Sequence, residues 1–173
     1  MRVLGISGSL RAASFNSALL RAAIRVAPPE VALTIFEGVG QLPLFNPDLE
    51  ARLPPQVKAL HAAVAASDAL LLASPEYAHG VTGTIKNTLD WLVSFEPFVY
   101  KPVAVLNASP RAHHADDALR ETLSTMAARI IEDASITIPL LGAGLDEEGM
   151  LNTPWVANKI LEVFTAVERE LKE

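Results

Sequence analysis

Three short stretches of this chain gather residue types that can hold an anion or a planar ligand. The first is Gly8-Ser9-Leu10-Arg11-Ala12-Ala13-Ser14-Phe15-Asn16-Ser17. Small hydroxyl and amide side chains surround one arginine, after an apolar run and before an apolar pattern of helical period. Such a junction offers the unpaired N–H groups and positive dipole end of a helix N-terminus, where a phosphate docks. A guanidinium with hydroxyls and backbone N–H groups suits a phosphomonoester. The common fingerprints do not fit. No Walker lysine follows, the spacing G-x-G-x-x-G is not met, and Ser9 stands where a nucleophile elbow needs glycine. Plain capping of a helix by Ser14, with Arg11 in solvent, is the competing reading of the same loop.

The second stretch is Ser74-Pro75-Glu76-Tyr77-Ala78-His79-Gly80-Val81-Thr82-Gly83. Proline and glycine shape a turn that can set main-chain groups against a planar heterocycle, with the Tyr77 ring beside it. Thr82 is placed to cap the helix that follows. His79 alone reads as a bystander. The third stretch is Asn107-Ala108-Ser109-Pro110-Arg111-Ala112-His113-His114. Adjacent histidines invite a metal, but no carboxylate or histidine stands at a spacing that completes a tetrahedral site, so no metal is expected.

These stretches need a scaffold. The chain has 173 residues, 50% of them hydrophobic, enough for the single domain expected over 1–173. Its formal net charge of −6 argues against nucleic acid as a partner. The absence of cysteine excludes disulfides, thiol redox chemistry and Cys-ligated metals, and fits a cytoplasmic protein. No apolar run nears the roughly 20 residues of a membrane helix, and the apolar start is too short for a signal peptide.

Short apolar runs recur at 3–7, 31–36, 69–74, 103–108 and 136–141, each followed by a polar turn and a helical pattern. Phe15, Leu19, Ala23 and Ile24 share one face after the first run. Val57, Leu60 and Val64 do so after the second, and Ile85, Leu89 and Leu92 after the third. Leu119, Leu123, Met126 and Ile130 follow the fourth. Val156, Ile160, Val163, Val167 and Leu171 follow the fifth, behind a Thr153-Pro154 start with a capping hydroxyl. This alternation predicts an α/β fold: a doubly wound five-stranded parallel sheet, order 2-1-3-4-5, with helices on both faces. Ligands then bind beyond the carboxyl ends of strands 1, 3 and 4, where the three stretches lie. Residues 38–55, with four prolines, read as a surface connection, or else as a pocket wall or subunit interface. Trp91 falls on the polar side of its helix and is expected to be buried against a neighbouring subunit.

The segments GSLRAASFN and PEYAHGVTGTIKNTLDWL resemble the two signature stretches of the NADPH-dependent FMN reductase family. That family is flavodoxin-like and includes quinone, chromate and azo-dye reductases. The resemblance implies that Ser9, Arg11, Ser14, Asn16 and Ser17 hold the FMN phosphate, with Phe15 in the same turn. It implies that Pro75, Glu76 and Tyr77, with Ala78, His79 and Gly80, line the isoalloxazine largely through main-chain groups. Ser109 would touch the flavin from the third stretch. This chain departs from the family pattern at Ala78, where asparagine is usual, at Thr82, where proline is common, and at His113-His114, near a usual glycine pair.

The resemblance further implies a cytoplasmic FMN-dependent oxidoreductase. NADPH or NADH gives hydride to the flavin, then a quinone or similar small-molecule acceptor takes the electrons in the same slot. No catalytic side chain is required. A homodimer or homotetramer is expected, with no nucleic-acid or membrane partner. The alternatives are a reductase that supplies reduced FMN to a partner, a flavodoxin-type electron carrier, and a non-enzymatic flavin-binding module.

Overall fold

The alternation read from the sequence is built as a parallel sheet covered on both faces in the computed structural model, which describes residues 1–140 and 142–172. In chain order the elements begin with β1 (Arg2–Ser7), α1 (Phe15–Val26), β2 (Ala32–Ile35), α2 (Pro55–Ala66) and β3 (Ala69–Ala73). A small hairpin of β4 (Glu76–Tyr77) and β5 (Gly80–Val81) follows, then α3 (Gly83–Asp90), β6 (Pro102–Leu106) and α4 (His113–Thr125). The chain continues with β7 (Arg129–Ile130), α5 (Glu147–Leu151) and α6 (Pro154–Lys172). The sheet order is β2-β1-β3-β6-β7, which is 2-1-3-4-5 once the hairpin is set aside.

β3 and β6 are buried at every residue. Their side chains alternate between two cores, which is why both read as continuous apolar runs. Leu71 and Leu106 pack with Leu19, Ile160 and Val163 of α1 and α6. Leu70, Leu72 and Val105 pack with Leu60, Leu89 and Leu123 of α2, α3 and α4. Each fully buried aliphatic side chain contributes about 1.5–3 kcal/mol.

The fifth strand lies elsewhere than expected. β7 is Arg129–Ile130, and the expected run keeps only an isolated parallel bridge from Thr137 to Asn107. Leu141, its last residue, lies outside the described residues. The outer edge is one extended path broken by a 3-10 turn at Glu132–Ala134. On one side of the break the Ile131 N–H reaches Val103 O at 2.8 Å, and on the other the Ile138 N–H reaches Asn107 O at 2.8 Å. Between them Ser135 Oγ takes the Val105 N–H at 3.0 Å in place of a ladder carbonyl. Ile130 thus belongs to the edge strand, not to the helix face assigned to it. The helix stops because Ala127 adopts φ 56°. There the Ala128 N–H bonds Leu123 O at 2.9 Å and the Ala127 N–H bonds Ser124 O at 3.0 Å, a Schellman ending without glycine.

Two smaller expectations also change. Ile24 is 40% exposed and not core. Thr153 precedes α6, but its hydroxyl donates to Gly149 O at 2.7 Å and joins α5 to α6.

Trp91 is buried within its own chain, at 2% exposure, so the expected burial against another subunit is not needed. Its indole N–H donates to Pro43 O at 2.7 Å and its ring meets Phe45 edge-on at 5.0 Å. Asn87, one helical turn earlier, accepts the Phe45 N–H at 2.8 Å and donates to Pro43 O at 3.0 Å. The proline-rich loop is therefore strapped to α3, with Leu44 left 83% exposed between its two fastened neighbours.

Candidate functional site

The carboxyl ends of β1, β3 and β6 open into a cavity of about 300 Å³, a size suited to a small molecule. Each end carries one of the three stretches.

The turn after β1 is knit by its own short side chains. Ser7 Oγ lies 2.8 Å from Ser17 Oγ and accepts the Ser9 N–H at 3.2 Å. Ser9 Oγ accepts the Arg11 N–H at 3.3 Å. Ser14 caps α1 by accepting the Ser17 N–H at 3.3 Å, so the plain capping reading holds beside any ligand role. The N–H groups of Phe15 and Asn16, at the start of α1, have no partner among the described residues. Asn16 is 6% exposed, its Oδ1 is buried without a partner, and its amide makes no other bond to the described protein. An unsatisfied buried amide at a cavity wall is what a polar ligand corrects.

The turn after β3 continues into the hairpin. Pro75, Glu76 and Tyr77 line the cavity, and Tyr77 is 57% exposed. The two-residue tip has φ 50° at Ala78 and 58° at His79, the left-handed pair that such hairpins require and that glycine or asparagine usually fills. Glu76 Oε2 accepts the Ala115 N–H at 2.9 Å. It thereby caps α4, whose own cap position, Ala112, has no side-chain bond to offer. The His79 ring lies 4.4 Å from that of His114, which lies 4.1 Å from that of His113. Thr82 caps α3 by accepting the Ile85 N–H, and Gly8 packs so closely on Ser74 that a Cβ there would fall 2.1 Å from its Oγ.

After β6, Asn107 Oδ1 accepts the Ser109 N–H at 2.9 Å and its amide donates to Ala112 O at 3.3 Å. Ser109 Oγ accepts the Arg111 N–H at 3.2 Å.

Ser9, Arg11, Ser14, Phe15 and Asn16 line the cavity from the first turn, and Ser109 lines it from the third. Phe15 also packs on the core of α1 and α6. Ser17 does not line the cavity. It faces an adjoining hollow that shares Ser9 and Arg11. Ala78, His79 and Gly80 are likewise not lining residues and form the hairpin tip and the start of β5. Sequence reasoning missed Ser74, Asn107, Ala108, Arg111 and Ala112. The available signal was a second guanidinium and a short amide at the end of a buried strand.

Among the described residues no carboxylate pairs with Arg11 or Arg111. Arg21 and Arg25, along α1, are taken up by Glu147 and Glu148 of α5. An acidic chain thus keeps two uncommitted guanidinium groups at this one cavity. With the free N–H pair, the Asn16 amide and the Ser9 hydroxyl, they fit a ligand with a phosphate and a polar chain. Among the described residues no helix is long and apolar enough to cross a membrane.

Residues 1–140 match the family described as NADPH-dependent FMN reductase. The chain is 36% identical over 157 residues to an NAD(P)H-dependent FMN reductase of Pseudomonas aeruginosa, covering 87% of this chain and 84% of that one. It is 35% identical over 156 residues to a quinone reductase of Pseudomonas putida, covering 85% and 82%. Its fold is similar to that of a flavoenzyme NAD(P)H:(acceptor) oxidoreductase of Paracoccus denitrificans, with a TM-score of 0.77 at 22% identity over 97% of each chain.

Proposed function

The chain belongs to the NADPH-dependent FMN reductase family, and from that premise we propose which residues hold its cofactor and which acceptor it serves. It is an FMN-dependent NAD(P)H oxidoreductase. When bound, FMN supplies the hydride chemistry that carries two electrons from the nicotinamide to the acceptor.

Arg11, with Ser9, Ser14, Asn16 and Ser17, binds the phosphate, helped by the free N–H groups of Phe15 and Asn16. The single observation that carries this is that, among the described residues, neither the Arg11 guanidinium nor the N–H groups of Phe15 and Asn16 has a partner, while all three residues line one cavity. Pro75, Glu76 and Tyr77 line the isoalloxazine through main-chain groups, since the Glu76 carboxylate is already bonded to α4. Ala78, His79 and Gly80 complete the hairpin that carries Glu76 and Tyr77, and Ser109 faces the flavin from the third turn. No side chain is assigned as acid or base.

The acceptor is a quinone or similar small molecule, as in the relatives' names. An electron carrier is the second reading, and one observation weighs against it. The cavity's aromatic lining residues are Phe15 and Tyr77, and Phe15 is packed on the core. A ring held by Tyr77 alone keeps a face open for a nicotinamide at near-contact distance. The reading includes a cytoplasmic protein that assembles as a homodimer or homotetramer, and light scattering that gives a monomer at micromolar concentration ends the assembly part.

The test is anaerobic mixing of FMN-loaded protein with NADPH or NADH, followed at the flavin absorbance band. Direct bleaching, then recovery on adding a quinone with no partner protein, is expected. If neither nicotinamide bleaches the flavin while one-electron titration gives a stable half-reduced state, the carrier reading replaces this one.

A further inference from the structure

The phosphate turn and the hairpin come from distant parts of the chain, and one hydroxyl joins them. Thr82 is 3% exposed. Its Oγ1 donates to Gly8 O at 2.7 Å, across 74 residues, and accepts the Ile85 N–H at 3.2 Å. Among the described residues this is the one side-chain hydrogen bond between the two turns. On its other edge the same Gly8–Ser9 peptide gives its N–H to Ser7 Oγ, which lies 2.8 Å from Ser17 Oγ. A continuous chain of bonds therefore runs from the start of α3, through Thr82 and the Gly8–Ser9 peptide, to Ser7 and Ser17.

A peptide gripped on both edges cannot rotate. Remove the Thr82 hydroxyl and the Gly8 carbonyl loses its partner. Because Gly8 has no Cβ, rotation of that peptide then meets little backbone resistance. Ser9 follows any such rotation, and with it the wall that carries Arg11.

We propose that Thr82 is a positioning residue for FMN: its hydroxyl fixes the Gly8–Ser9 peptide and so sets the phosphate turn against the hairpin that faces the ring. This role rests on the cofactor placement given above. Thr82 is not among the residues that line the cavity. Its effect is therefore specific to the phosphate end, whereas a general loss of structure would weaken every flavin alike.

The experiment titrates FMN and riboflavin, which lacks the phosphate, into the apoprotein of the full chain and its Thr82 variants. Thr82→Val removes the hydroxyl. Thr82→Pro also removes it and suits the local backbone, where φ is −68°, so a second fold-compatible variant carries the same test. Thr82→Ser keeps the hydroxyl. The preference for FMN over riboflavin is expected to fall about tenfold in the valine and proline variants and to return in the serine variant. An unchanged preference overturns the proposal, as does a parallel weakening of both flavins or a serine variant that behaves like valine. If the unaltered chain shows no preference for FMN over riboflavin, the phosphate placement itself fails, which is a different result.

Discussion

The phosphate turn and the hairpin face the same cavity but are held in opposite ways. Within the turn after β1 the side-chain bonds link residues two to ten apart, and a single one, from Thr82 to Gly8, comes from far away. From the hairpin and the Thr82 that follows it, they reach 39 residues to Ala115 and 74 to Gly8. The first is knit mostly by its own sequence, with one distant hydroxyl fixing its Gly8–Ser9 peptide. The second takes its shape from what surrounds it, which is how two non-glycine residues come to sit at positive φ at its tip. The difference separates chemistry from placement. The first turn supplies free donors, and the hairpin supplies a wall that other elements hold in position.

The largest expected effect tests the chemistry side. Arg11→Ala should weaken FMN about ten- to a hundredfold, since a bond to a charged group contributes about 1.5–3 kcal/mol. Thermal unfolding of the apoprotein should not move. An unchanged titration curve would put the phosphate elsewhere. On the placement side, Glu76→Ala strips the cap from α4 and should cost about 1–2 kcal/mol of stability in denaturant unfolding. Glu76→Gln keeps an acceptor oxygen and should recover most of it. Equal losses in the two variants would break the capping account.

The tip of the hairpin gives a smaller and opposite effect. Ala78→Asn suits the left-handed backbone better and should stabilise the chain by about 1 kcal/mol, read as a rise in the unfolding midpoint. Destabilisation would mean that Ala78 makes a packing contact that outweighs its backbone strain.

The smallest effect is a control at the opposite end of the sheet. The Arg2 backbone N–H, 2.7 Å away, and then the Arg2 charge, hold the Asp68 carboxyl below its ordinary range. A group whose folded pKa is depressed gives stability above its unfolded pKa and loses it as pH falls through the folded one. Stability should therefore decline slightly more on acidification in the unaltered chain than in Asp68→Asn. Both should bind FMN alike at neutral pH, and a difference there would show that this end is coupled to the cavity.

The same local-versus-distant contrast explains what could be read from the sequence. Period and burial placed four strands, five helices and the sheet order, because Val57, Leu60, Val64 and their counterparts must face a core wherever it lies. Ser9, Arg11 and Ser14 were legible because their bonds stay within one turn. Trp91 was not, because its helix offers a polar side whose cover is Pro43 and Phe45, far back in the chain. The end of α4 was not, because Ala127 does what a glycine normally signals. The ending hid the start of the last strand, and Ser135, a hydroxyl in the place of a backbone carbonyl, hid its middle.

That broken outer strand has a consequence for the chain in crowded solution. A long, flat sheet margin invites strands from other molecules to add on and seeds aggregation. Here the margin beside β6 offers a straight run of only two residues before the 3-10 turn lifts the backbone away. An incoming strand finds no continuous row of N–H and C=O groups in register along it. The interruption that made this strand hard to read also guards that side of the sheet against templated growth.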